Sequence, residues 1–187
     1  PLAVGLALPV PAAMLLITNM LCDGLVSLSL ATDQPEPGVM ARPPRPLGEP
    51  VLGRGTVGAV AVRGAAIGLS TVGLYTAGLA LTGLPAVGYS MALAGLVAAK
   101  LFFAWQVRRR SLDGTVVAPG PNRMLSVATV LGSGVTLAAI YVPSLSGLFA
   151  MAPLGLLPWV VVAATVWAQD KVAGTISRSM NSERAPA

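Results

Sequence analysis

The stretch ITNMLCDGLVSL, Ile17 to Leu28, places an asparagine, a thiol and a carboxylate inside a run that is otherwise as apolar as lipid. A carboxylate at such a depth costs at least about 2.5 kcal/mol, so it reads by default as part of a site with a partner. On a helix, Asn19 and Asp23 are four residues apart and Cys22 is three from Asn19, so all three project from one face. Oxygen donors of the Asn and Asp kind suit hard cations such as calcium, magnesium or sodium. A thiol beside them tolerates softer metals. Taken alone, the triplet has a plainer alternative, a polar packing cluster satisfied by neighbouring helices.

Working outward, the surroundings are those of a membrane. Apolar residues make up 55% of the chain and charged ones 10%, against roughly 25% charged in soluble domains. Five apolar runs, at about 9–30, 57–82, 86–107, 124–142 and 153–170, are each near the ~20 residues a spanning helix needs. The expected fold is an all-α membrane protein, a bundle of five transmembrane helices, with residues 1–187 as a single transmembrane domain. The single cysteine excludes an internal disulfide, and the absence of histidine excludes histidine metal sites and histidine general bases. The chain opens on Pro1 rather than Met, without a charged signal n-region, which suggests a piece of a longer protein.

Charge sets the expected orientation. The loop 31–56 carries Arg42, Arg45 and Arg54, the loop 108–123 carries Arg108, Arg109, Arg110 and Arg123, and the tail 171–187 carries Lys171, Arg178 and Arg184. The connections 83–85 and 143–152 carry no charge. Under the positive-inside rule the basic loops and the C-terminus are cytoplasmic in a multi-pass protein of the cell membrane. The net charge of +5 is explained by that rule and calls for no nucleic-acid partner. Arg63, two turns into its run, reads as a snorkelling anchor, and Asp170 with Lys171 as interfacial charges. Lys100 lies deeper, and two readings stay open: snorkelling, or pairing with Asp23. Gly64, Gly68, Gly73 and Gly78, with Gly132 and Gly134, read as small-residue packing positions. Trp105, Trp159, Trp167 and Tyr141 fall near the expected interfaces.

The segment DGLVSLSLATDQPEPGVMARPPRPLGEPVLGRG, from Asp23 to Gly55, joins the intramembrane Asp to an acidic-proline turn and the motif VMARPPRP. It resembles P-type cation ATPases of the calcium/sodium-pump branch, over the sixth membrane helix and the loop to the seventh. That family reads approximately N-x-x-(T/S)-D-G, an acidic-proline turn, then (V/I)-M-x-R-P-P-R. The later runs are similar to its seventh to tenth helices in number, orientation and loop length, so the resemblance covers essentially the whole chain.

The resemblance implies that Asn19, Cys22 and Asp23 form part of a cation site, with Cys22 standing where the family has a hydroxyl ligand. In SMALAGLVAAKLFFAW, Ser90 to Trp105, it places Lys100 where calcium pumps carry a glutamate ligand, making it a possible countercharge. It implies that Arg42, Pro43, Pro44 and Arg45 couple the membrane region to the phosphorylation domain. The family's phosphorylated D-K-T-G-T is absent; DKVAGT, Asp170 to Thr175, has one residue too many. No catalytic or nucleotide-binding residue and no cofactor is therefore assigned to this chain. The parent pump would use ATP and magnesium, and the transported cation is not readable. The implied partners are the lipid bilayer and the N-terminal helices and cytoplasmic domains of the parent. The competing readings are a free-standing remnant or regulatory subunit without transport, and a small carrier.

Overall fold

The computed structural model describes residues 12–35, 39–41, 54–108 and 120–182, and among them every regular element is a helix. The first apolar run forms α1 (Ala12–Thr18), a π-helical segment (Asn19–Gly24) and α2 (Leu25–Ala31), and Val39–Ala41 make a 3-10 turn. The remaining helices are α3 (Arg54–Thr82), α4 (Pro85–Val107), α5 (Arg123–Tyr141), the short α6 (Pro143–Leu148) and α7 (Leu156–Ser182). Three of them, over Val57–Thr82, Pro85–Val107 and Arg123–Tyr141, are long and apolar enough to cross a membrane. The first run is helical but interrupted by the π segment, and α7 is long but carries Gln169, Asp170 and Lys171 within it.

The helices form where the sequence lets backbone groups close on themselves, the condition lipid imposes on a spanning segment. The α3–α4 hairpin turns at Gly83, whose φ of +70° is left-handed and suits glycine at the end of a helix. Its N–H donates to the Leu79 carbonyl at 2.8 Å, and Pro85 opens α4 at a position where no amide donor is needed. Asn122 caps α5, its side-chain oxygen accepting from the Leu125 N–H at 2.8 Å.

Helix α4 is the centre of the bundle. Of its apolar window 61% is buried, against 33% for α5 and 11% for α3, and it packs against α3, α5 and α7. The contact with α3 is backbone to backbone: a Cβ on Gly78 would lie 2.7 Å from the Gly88 Cα, and one on Gly88 2.7 Å from the Tyr75 carbonyl oxygen. Of the glycines expected to pack along α3, only Gly78 meets a neighbour in this way. Gly64, Gly68 and Gly73 have nothing within 4 Å, and neither does Gly134 of α5.

Two boundaries differ from the sequence reading. Helix α7 runs on to Ser182, past the expected end at 170, and no proline falls between 171 and 182 to stop it. The connection 143–152 contains α6 and is pinned to α4, Ser90 Oγ donating to the Ala152 carbonyl at 2.7 Å while the Ala152 N–H returns a bond at 3.0 Å. The Arg42, Pro43, Pro44 and Arg45 motif lies outside the described residues.

Candidate functional site

The residues singled out in the first run sit on its one irregular segment. Asn19 opens the π helix and Asp23 lies near its end. Such a segment widens one turn of an α-helix and is frequent at functional positions. Opposite, α4 presents Lys100, whose Nζ donates to Asp23 Oδ2 at 2.8 Å and to Asn19 Oδ1 at 3.3 Å. The ammonium thus ties two of the three expected site residues together, and of the two readings of Lys100 the pairing one matches the geometry. The Asp23 side chain keeps 49% of its surface exposed and the Lys100 side chain 25%, so the pair lies on the flank of the bundle rather than in its core. Cys22 belongs to the same π segment, and its side chain lies outside the described residues. Among the described residues no three acidic or thiol groups converge as a metal cage would require.

Two further ion pairs occur among the described residues, and both were missed from the sequence. Arg63 of α3 donates to Asp170 of α7 at 3.1 Å and to Gln106 of α4 at 3.4 Å, and its guanidinium lies 4.4 Å from the centre of the Phe103 ring. Their side chains are only 13% and 16% exposed, so Arg63 and Asp170 hold each other instead of reaching for an interface. Two turns further along α3, Ser70 bonds Gln169, tying the same two helices. Lys171 stands 5.8 Å over the Trp167 ring, an arrangement suited to the interface.

The other pair is Arg108 with Asp33. The guanidinium engages both carboxylate oxygens, Nη2 to Oδ1 at 2.9 Å and Nε to Oδ2, and Nη2 also donates to the Gly120 carbonyl at 2.6 Å. The Arg108 side chain is 3% exposed and that of Asp33 23%. Its hydrogen bonds from Arg108 hold the Asp33 carboxyl below its ordinary value, against the opposing effect of burial. Asn122 braces the same corner, Nδ2 donating to the Ser29 carbonyl at 2.8 Å. The signal for this corner was present in the sequence: an Asn followed by an apolar helical run is a cap. Arg108 was absorbed into the count of basic loop residues, which hid its partner.

This arrangement of helices, with a polar triplet on the first and a cation facing it from a buried central helix, can hold a charge within a membrane. No curated protein matches the chain significantly. A family model described as "Cation transporting ATPase, C-terminus" matches residues 7–168, nearly the whole chain and all the helices that carry the site. The chain belongs to that family and is the C-terminal membrane region of a cation-transporting ATPase.

Proposed function

We propose that this region contributes part of an intramembrane cation site built on Asn19 and Asp23, with Lys100 as its resident countercharge. The observation that carries the reading is the ammonium of Lys100 lying at 2.8 Å from the Asp23 carboxylate and 3.3 Å from the Asn19 side-chain oxygen. Both contacts are the kind an inorganic cation would make with the same two donors. In the absence of a transported ion the ammonium neutralises the carboxylate, which keeps an unpaired anion out of an apolar surrounding. An arriving cation competes with Lys100 for Asp23, and the long flexible lysine stem lets the ammonium withdraw without moving its helix.

Asn19 and Asp23 offer two oxygen donors, fewer than a hard cation takes, so further ligands would come from helices of the parent ATPase. ATP and magnesium would act on the parent's phosphorylation and nucleotide domains, and the Arg42 to Arg45 loop would relay their movement to the membrane. The test is cation-stimulated ATPase activity of the intact protein carrying Asp23→Asn. Loss of the stimulation is the expected result. A cation response equal to that of the unaltered protein would overturn the reading.

A further inference from the structure

Among the described residues, two of the three ion pairs join the same two helical segments. Asp23 and Asp33, ten residues apart on the first helix and its exit, face Lys100 of α4 and Arg108 just past its end, eight residues apart. Eight residues of α-helix rise about 12 Å, so the two pairs form separate rungs at different heights. In both, the acid comes from the first helix and the base from α4 or its end. Direct packing between these helices is light, since α2 and the π segment lean mainly on α5. The rungs therefore carry much of what aligns them.

The rungs are unlike. The upper one is a guanidinium fork with both oxygens engaged, a third acceptor in Gly120, the Trp105 ring 5.6 Å away, and a side chain 3% exposed. A planar fork on a carboxylate fixes direction as well as distance. The lower rung is a single ammonium on a flexible stem against a half-exposed carboxylate, which attracts without orienting. Asn122 adds rigidity to the upper corner alone, holding the end of α2 through Ser29 and the start of α5 through Leu125.

We infer that Asp33 and Arg108 are positioning residues for the Asn19–Asp23–Lys100 site, setting the height and rotation of the π segment against α4 so that Lys100 meets Asp23. This inference rests on the reading of that site given above. The upper rung stays closed while the lower one opens and closes on the cation. Asp33 stands just past α2, where the chain leaves for the Val39–Ala41 turn, so a pull on that connection reaches the clamp before it reaches the site.

The chain holds two lysines, Lys100 and Lys171, which makes the lower rung directly measurable. The detergent-solubilised chain is treated with acetic anhydride, and acetylation of each lysine is followed by peptide mass spectrometry, with Lys171 as internal reference. Asp33→Asn and Arg108→Gln should each raise the Lys100 to Lys171 rate ratio by about 5-fold or more, the size of coupling found within one charged network. Tyr141→Phe, which removes the Tyr141 bonds to Leu154 and Trp159 and involves no residue of either rung, should leave the ratio unchanged and controls for general loosening. An unchanged ratio in Asp33→Asn, or an equal rise in Tyr141→Phe, overturns the clamp. Asp33→Asn decides alone should Arg108→Gln fail to fold, because it preserves size while removing the charge and one of the two acceptors of the fork. Asp23→Asn frees Lys100 whether or not the site carries a cation, so the clamp and the transport reading fail by different results.

Discussion

Replacing Gly88 by alanine puts a methyl group where the α3–α4 contact has no room. The added Cβ would stand 2.7 Å from the Tyr75 carbonyl oxygen and 2.8 Å from Tyr75 Cδ2, whereas ordinary contact begins at 3.4 Å. The shortfall is 3.4 − 2.7 = 0.7 Å against a backbone oxygen, and a backbone oxygen on a long helix cannot swing aside. The helices must part by that amount, loosening the buried Leu74, Tyr75 and Met91 around the contact. Overpacking of this kind costs about 1–3 kcal/mol. Gly68, on the same α3 but with nothing within 4 Å, is the control. There alanine meets no obstacle and should stabilise by about 0.5–1 kcal/mol through its higher helix propensity. Unfolding of the detergent-solubilised chain in SDS, followed by circular dichroism, gives both numbers. Equal midpoints for Gly88→Ala and the unaltered chain, or a Gly68→Ala loss as large as that of Gly88→Ala, would refute the close-packed hairpin.

Asn122→Ala removes the α5 cap and the tie to the Ser29 carbonyl, which keeps only its bond from the Thr32 hydroxyl, so a loss of about 1–2 kcal/mol is expected in the same unfolding assay. Asp33 adds a pH dependence: its carboxyl is held below the ordinary value, so the pair stabilises above about pH 4 and is lost as the pH falls through the lowered value. The stability gap between the unaltered chain and Asp33→Asn should accordingly be full at neutral pH and shrink on acidification; a gap independent of pH would contradict the pairing. Lys100→Met, tested in the intact ATPase, should lower the cation concentration needed for half-maximal activity by removing the competitor for Asp23, and an unchanged value would separate Lys100 from the site.

What could be read without coordinates follows from the range over which each signal acts. Apolar runs are local, so the spans over 57–82 and 86–107 agree with α3 and α4 to within a few residues. Asn19 and Asp23 stand out in the sequence because a carboxylate in lipid is costly wherever it points, and both are bonded by Lys100. The π segment was not, since a single widened turn leaves three- and four-residue spacing almost unchanged. Pairings across the bundle were hardest. Arg63 and Asp170 are separated by 107 residues, and each alone has an adequate explanation at an interface. Lys100 was ambiguous for the same reason, and only the facing π segment distinguishes pairing from snorkelling. Glycines showed the reverse error: four of them along α3 invited one packing stripe, while only Gly78 meets a neighbouring helix.

The central helix has a consequence for how such a chain can drift in evolution. Between Lys100 and Arg108, α4 engages three partners in turn, Asp23, then Arg63 through Gln106, then Asp33. Inserting or deleting one residue in that interval rotates everything beyond it by about 100° and moves it about 1.5 Å along the axis. The guanidinium fork could then no longer find its acceptor, nor the glutamine its donor, however conservative the inserted side chain. The number of residues between Lys100 and Arg108 is thus constrained as tightly as the side chains that make these contacts. Descendants of the chain can exchange side chains freely on the lipid-facing side of α4, but they must keep the count.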